Sequence, residues 1–262
     1  MLAKDEHVFI VIPARRNSKR LKDKNVKDFD GFPLFEWSLA AALFMEKSLY
    51  TFGLTNISLI CSSNDKRIIR IVEEKYASRV HSVIRGDSLS GDTITLESVI
   101  THAVEEIASK HKKIGLKRSR YILLQPTSPI RVEVDLTEFC QRFINTKREF
   151  SLISANENYK EFKDIYSLKE FSNSDGKAWI LGDKLYESGG SSEKTAFIDG
   201  SIYSGEISSL KKDTFIPHYR TFVFFQSAPW SVDIDTEKDF EEAVNTLSKF
   251  KNRGLKVVEP EI

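Results

Sequence analysis

The sequence predicts an α/β fold, a mostly parallel, helix-covered sheet in three layers, with a small β-rich lobe inserted late in the chain. Three observations predict it. Short β-branched runs alternate with amphipathic stretches through the first half, Gly, Ser and Asn clusters loosen the pattern between about Phe150 and Ile198, and strand and helix signals then return. With 262 residues and an apolar share of 40%, the chain can bury a core of its own and fold alone.

The elements follow in order. The run VFIVI from Val8 reads as a strand, and PLFEWSLAAALFME from Pro33 as a helix with Trp37, Leu39, Ala40 and Leu43 at core spacing. ISLICSS from Ile57 is a second strand, DKRIIRIVEEKYA from Asp65 a second helix, and HSVIR from His81 a third strand. TLESVITHAVEEIASKH and YILLQP complete the alternation. Each crossover helix must bury its apolar stripe on a sheet face, so these strands should run parallel. Ligands of such sheets sit beyond the carboxyl ends of the strands, so three segments should converge on one cleft: the loop after VFIVI, Ser62-Ser63-Asn64-Asp65, and Gln125-Pro-Thr-Ser-Pro.

The pieces ENYKEF, SNSDGKAW and ESGGSSEKT predict a small lobe over 151–198, set on a core made of 1–150 and 199–262. FIDGSIYSGE reads as the returning strand and SVDIDTEKDFEEAVNTLSKF as a strand end, a turn and a closing helix. The tail, NRGLKVVEPEI, reads as loosely held.

Thirty-nine basic residues balance 38 acidic ones, so a net charge of +1 offers nucleic acid no broad attraction and leaves anion binding to local clusters. Partners should be small molecules. Cys61 and Cys140 are expected as core thiols in a reducing compartment. The opening residues lack a signal-peptide segment and no run of about 18 apolar residues occurs, which reads as a cytoplasmic protein without a membrane role. The five histidines show no zinc spacing and no nucleophile partner.

Against that even balance, IPARRNSKRLKDKN stands out. It carries six basic residues, Arg15, Arg16, Lys19, Arg20, Lys22 and Lys24, against the single acid Asp23. A loop between strand and helix offers free backbone N–H groups, and cations added to it make a site for a polyanion such as a triphosphate; the alternative is a solvated basic loop. Neither a Walker A loop nor a dinucleotide fingerprint is present. In SVDIDTE, alternation puts Asp233 and Asp235 on one side, where two carboxylates and substrate phosphates would suit Mg²⁺. Alternatively, Asp235 or Thr236 caps the closing helix, with Asp239 in its first turn.

The stretch Pro13-Ala14-Arg15-Arg16-Asn17-Ser18-Lys19-Arg20-Leu21-x-x-Lys24-Asn25 resembles the signature loop of the acylneuraminate cytidylyltransferases, the CMP-sialic acid synthetases. Further landmarks agree in order: Gly31-Phe-Pro-Leu, Ser63-Asn64-Asp65, Arg85-x6-Asp92-Thr93, Gln125-Pro-Thr-Ser-Pro-Ile-Arg131, Asp199-Gly-Ser-Ile-Tyr203 and Ser231-Val-Asp-Ile-Asp-Thr236. The resemblance covers about Val8 to Leu247 and implies a Rossmann-like nucleotidyltransferase sheet. It implies that Arg15, Asn25, Arg85 and Gln125, with Ala14 beside them, contact CTP, that Lys19 and Lys24 meet phosphates, and that Asp233 and Asp235 hold Mg²⁺. Arg15, Lys24 and Asp235 would carry catalysis. Asp65 would approach the cytosine or cap the next helix.

The reaction so implied transfers CMP from CTP to the anomeric hydroxyl of an acidic 2-keto sugar, releases pyrophosphate, and belongs to a homodimer joined through the small lobe. The chain departs from the family at Arg16-Asn17, where two glycines are common, at Ile94-Thr95-Leu96, where serines are common, and at Asp199, where asparagine is usual. The arginine-rich approach to that last motif is replaced by a segment whose cations are lysines. Lys163, Lys184 and Lys194 are candidates for the sugar carboxylate, and the expected acceptor is a legionaminate-like or amino-bearing nonulosonic acid. The alternatives are a 3-deoxy-octulosonate-type acceptor and a nucleotide-binding module that has lost turnover.

Overall fold

The structure is a computed structural model and describes residues 6–16, 18–91, 93–111, 114–157, 165–173, 176–185, 194–210, 220–227 and 232–261. Its first half follows the sequence pattern. β5 (Val80–Ile84), β4 (Ile57–Ser63), β1 (His7–Pro13) and β6 (Ser119–Leu124) lie side by side in that order, all parallel. β1 and β6 are buried on both faces along nearly their whole length, because helices cover them from both sides. On one face Phe35, Leu39 and Met45 of α1 (Leu34–Thr51) and Leu136 and Phe139 of α4 (Glu133–Asn145) pack on Val8, Ile10, Leu59 and Ile122. On the other, Ile100, Ala103, Val104 and Ile107 of α3 (Leu96–Lys110) pack on Phe9, Val11, Ile60 and Leu123.

A two-residue hairpin leads into α1. Asp30 (φ 53°) and Gly31 (φ 88°) turn β2 (Asp28–Phe29) into β3 (Phe32–Pro33), and an Asp-Gly pair is the usual way to supply two left-handed residues in succession. Trp37 is fully buried, as its spacing predicts, and donates Nε1–H to the Phe29 carbonyl at 2.9 Å. It packs with Ile234, Phe240 and Leu247, which docks α5 (Glu237–Asn252) beside α1 and places the Asp233–Asp235 segment next to the loop after β1.

The second half corrects the expectation of a mostly parallel sheet in three layers. β7 (Ser151–Asn156), β8 (Ile165–Asn173), β9 (Gly176–Lys184), β10 (Thr195–Glu206) and β11 (Thr221–Phe225) continue the same nine-stranded sheet, which is therefore mixed. β10 runs antiparallel to both β6 and β7, and helices cover both faces only over the parallel half. Antiparallel strands need only short connections, and apart from the parallel β7–β11 pair the pairings of this stretch are antiparallel. β8 also pairs with β10, which joins β10, β7, β11, β9 and β8 into a closed ring of five strands around Ile153, Leu168, Leu181, Ala196 and Val223. The residues of the expected lobe are thus divided, β7 lying between β10 and β11 and β8–β9 completing the ring.

The tail is also corrected. Val257 bridges Val132, Val258 is buried and donates its N–H to the Arg131 carbonyl at 2.9 Å, and Glu133 donates to the Lys256 carbonyl at 2.8 Å. The apolar pair Val257-Val258 holds it down. Both cysteines are buried, and burial pushes each thiol up to about 12, as suits core residues. Among the described residues no helix is long and apolar enough to cross a membrane.

At the amino ends of the parallel strands, His7 meets the Ser58 hydroxyl at 2.9 Å, and the His81 and His111 rings lie 5.9 Å apart. Burial, then the nearby His111 and His81 rings, push His7 down to about 4, and burial, then His111 and Lys110, lower His81. A histidine depressed in the folded state is neutral there and charges on unfolding. Its contribution is therefore complete above about pH 6.5 and lost as pH falls towards 4, at no more than about 1.4 kcal/mol per pH unit for each ring. The melting temperature should fall between pH 6.5 and 5, and less steeply in His7→Gln. Equal slopes in the two proteins would reject the assignment.

Candidate active site

A cleft of about 620 Å³ opens beyond the carboxyl ends of β1, β5 and β6, where α/β sheets place ligands. Arg15, Lys19, Lys24, Asn25, Arg85, Gln125 and Asp235 all line it, so residues far apart in sequence meet there as expected. The loop after β1 is braced from below. Ala14 donates its N–H to the Ser62 carbonyl (2.9 Å) and accepts from the Ser63 hydroxyl (2.6 Å), while Arg16 donates its N–H to Asn64 Oδ1 (2.8 Å). Ala14 consequently stands apart from the other predicted residues, fully buried with both backbone groups engaged by β4. The Ser62–Asp65 segment supports the loop and does not line the cleft.

Asn25 is buried and donates Nδ2–H to the Arg15 carbonyl at 2.8 Å, which closes the loop on itself and fixes Arg15 at the cleft wall. Arg85 is also buried. Burial, and next to it the charge of Arg15, push its guanidinium down to about 10, and its buried Nε has no hydrogen-bond partner among the described residues. A buried cation with an unmet donor beside a second cation is a site that a bound anion would relieve.

Gln125 is held from both ends. Its Nε2 donates to the Gly200 carbonyl at 2.9 Å, and its own carbonyl accepts from Arg131 Nη2 at 3.0 Å. Gly200 has φ 75°, a left-handed conformation at the bulge where β10 shifts register between Ile198 and Tyr203. A Cβ there would come within 3.4 Å of Gln125 Nε2, so glycine suits the position on both counts. Arg131 is almost fully buried and also donates to the Ser201 hydroxyl and carbonyl (3.1 and 2.9 Å) and the Ser38 hydroxyl (3.1 Å). Burial pushes it down to about 9, with Asp199 opposing.

Asp235 faces the loop cations, whereas Asp233 is not among the described residues that line the cleft. Lys24, itself buried, donates Nζ–H to the Ile234 carbonyl at 2.5 Å and to Asp235 Oδ1 at 3.1 Å, while Arg20 Nη2 pairs with Asp235 Oδ2 at 2.6 Å. Ile234 is fully buried, with Asp233 and Asp235 flanking it on more accessible positions, and its N–H donates to the Thr127 carbonyl at 2.8 Å. Thr236, not Asp235, caps α5. Its hydroxyl accepts from Asp239 N–H (3.2 Å), and Asp239 accepts from Thr236 N–H (2.7 Å) in return. Asp235 is left to the cleft. The Asp233 carboxyl remains solvent-accessible, yet the protein packed around it, and to a lesser degree Asp235, push it above the ordinary carboxylate range against the Thr127 hydroxyl.

Two carboxylates one residue apart, beside a wall of cations that would hold phosphates, are an oxygen donor set of the kind Mg²⁺ shares with waters and substrate. Among the described residues there is no group of three or more His, Cys, Asp or Glu that could hold a metal ion.

Other expectations resolve differently. Asp65 caps α2 (Lys66–Ile71), accepting from Arg67 N–H at 2.9 Å and pairing with its guanidinium at 2.6 Å, so its carboxylate is engaged outside the cleft. Asp199 is buried and turned inward, accepting from the Ser154 hydroxyl (2.6 Å), the Ser201 N–H (2.9 Å) and Gln226 Nε2 (2.5 Å), and burial raises its carboxyl. It is therefore a brace of the β10 bulge and bears on no acceptor by charge repulsion. Lys194 lies over the rings of Trp179 (4.9 Å) and Phe225 (4.7 Å) and pairs with Glu157 at 2.7 Å. Lys184 lies 6.0 Å from the Tyr166 ring. Asn17, Asp92, Lys163 and Ser231 lie outside the described residues.

Sequence reasoning gave no role to Thr127 or Arg131, nor to the apolar wall of Leu89, Ile94, Leu96 and Val99, and counted Arg20 among the loop cations without foreseeing its pairing with Asp235. Thr127 and Arg131 sit inside the quoted Gln125–Arg131 stretch, where a signal existed. The wall shows only after α3 docks.

The chain is similar in structure to a solved CMP:2-keto-3-deoxy-manno-octonic acid synthetase complexed with CTP, with a TM-score of 0.59 over 93% of this chain and 99% of that one, at 15% identity. That likeness shows a shared Rossmann-like α/β fold, in which ligands sit at the carboxyl ends of the parallel strands. The family described as Cytidylyltransferase matches residues 9–178, and the chain belongs to that family. A pseudaminic acid cytidylyltransferase from Campylobacter jejuni is 27% identical over 236 residues, 89% of this chain and 93% of the relative. A CMP-N,N'-diacetyllegionaminic acid synthase from Legionella pneumophila is 33% identical over 124 residues, 47% of each chain.

Proposed function

We propose that the chain transfers CMP from CTP to the anomeric hydroxyl of a nonulosonic acid and releases pyrophosphate. One observation carries this reading: Asp235, near the carboxyl end of the sequence, pairs with Lys24 and Arg20 of the first loop in a cleft that Arg15, Arg85 and Gln125 also line. The acceptor class is supported by the full-length pseudaminic acid relative and by the diacetyllegionaminic one.

In this reading the triphosphate lies along Arg15, Lys19 and Lys24, and Arg85 gains a partner for its unmet Nε. The apolar wall from Leu89 to Val99 takes the base, and Gln125, fixed by Gly200 and Arg131, lies at the border with the acceptor. The anomeric oxygen forms a bond to the α-phosphorus as the bond from that phosphorus to the bridging oxygen breaks, and the hydroxyl proton passes to solvent. No residue becomes covalently attached. Positioning by the loop, and its positive charge facing the departing pyrophosphate, supply the acceleration. Asp233 and Asp235 would hold Mg²⁺, which when bound offsets charge on the phosphates. Arg20, the more exposed partner of Asp235, would give way to it. The β-ring end near Phe225 and Gln226 would shape the acceptor side, and a homodimer joined through the ring belongs to the same reading.

Pyrophosphate release with CTP, Mg²⁺ and a panel of acids tests it. Turnover is expected with pseudaminic or N,N'-diacetyllegionaminic acid, and less with N-acetylneuraminic acid or a 3-deoxy-octulosonic acid. CTP binding without release from any acid would reject the activity, a preference for a 3-deoxy-octulosonic acid would reject the acceptor class, and a preference for N-acetylneuraminate would reject pseudaminic or N,N'-diacetyllegionaminic acid as the acceptor.

A further inference from the structure

The nucleotide cleft uses only part of the positive charge in the first loop. Arg15, Lys19, Arg20 and Lys24 line it, whereas Arg16 and Lys22 turn to the other side of the loop. There they border a second cavity, of about 660 Å³, which Lys66 and Arg67 of α2 complete. Lys19 and Ser18 line both cavities.

The second cavity gathers five cations, Arg16, Lys19, Lys22, Lys66 and Arg67, against two carboxylates, Asp23 and Asp65. Both carboxylates are bound to Arg67, whose Nη2 lies 2.5 Å from Asp23 Oδ1 and 2.6 Å from Asp65 Oδ2. That clamp fixes the cavity wall and engages both carboxylates, whose attraction to Lys22 and Arg16 is weaker than their attraction to Arg67. Arg67 holds Asp23 below the ordinary carboxylate range, so the clamp persists at neutral pH. In a chain whose overall charge is +1, such a local excess calls for a multivalent counter-anion, because several cations at one concavity repel one another until one anion spans them.

We infer that this outer cavity is a second polyphosphate site, distinct from the nucleotide cleft and joined to it through Lys19. Its ligand is pyrophosphate or the phosphate chain of a nucleotide, and the shared lysine offers pyrophosphate leaving the cleft a next position on its way out. The exit role rests on the proposed cytidylyl transfer; the binding site does not.

Inorganic pyrophosphate titrated calorimetrically into the full chain saturated with CTP, without metal or acceptor, reads the site with no turnover. One further pyrophosphate per chain is expected. Lys22→Glu with Lys66→Glu should weaken it by at least about ten-fold while CTP affinity stays within about two-fold, and Lys22→Gln with Lys66→Gln should fall between. Where one CTP is bound per chain, no pyrophosphate uptake, or uptake indifferent to Lys22→Glu with Lys66→Glu, overturns the inference. The source of the phosphates is read with CTP alone: one CTP per chain leaves the site to pyrophosphate, and a second CTP that the double variant loses assigns it to a nucleotide. A chain that binds no CTP would defeat the proposed function, and the outer site would still be read with pyrophosphate alone against the same variant.

Discussion

Asp235→Asn is expected to lose turnover by roughly 10²–10³-fold, the scale of removing one preorganised charge from a phosphoryl-transfer site. The substitution keeps shape and changes charge. In the free protein Asp235 meets two cations, Lys24 at 3.1 Å and Arg20 at 2.6 Å, and its other neighbour of like charge is Asp233. Removing the charge therefore weakens any divalent ion at the pair and releases Lys24 from one of its two anchors, leaving the Ile234 carbonyl at 2.5 Å. The two routes separate by titration. If the carboxylate works through metal, higher Mg²⁺ should recover part of the rate; if through Lys24, it should not. Turnover within a few-fold of the parent at ordinary Mg²⁺ would refute a role in the reaction by either route.

Arg131→Met should destabilise the fold by about 3–5 kcal/mol, as expected when one member of a buried charged network is removed. The guanidinium is 1% exposed and spans three elements, reaching Ser38 on α1, Gln125 after β6 and Ser201 on β10. Methionine fills much of the volume but donates to none of these, and the buried Asp199 loses its nearby positive charge. Stabilities of about 5–15 kcal/mol are usual for a domain, so this is a large share of the total. Denaturant midpoints for the single variant, Asp199→Asn and the double variant give the cycle, in which the two losses should add to more than the double loss. A single-variant loss under about 1 kcal/mol would show that the network carries no such weight.

Much of the parallel half is legible from sequence, since VFIVI, ISLIC and YILLQ are buried runs separated by helical stripes, and each pattern states its own environment. The second half is less so. A strand's period says which faces are buried but not which neighbour it pairs with, so the antiparallel course of β10 and the closure through β8 could not be read from FIDGSIYSGE. The cleft was legible where charge marked it, at Arg15, Lys24 and Asp235, and not where function depends on orientation. Asp199 looks like an active-site acid in sequence and is a buried brace in space. Asp65 and Ala14 lie beside the right loop, yet one serves a helix end and the other a neighbouring strand.

The strand from Thr195 to Glu206 is a stave of two vessels at once, zipped to β6 along its later residues and to β8 along its first. The stretch that looks in sequence like a detachable insert therefore cannot be cut out or grafted elsewhere without opening the main sheet.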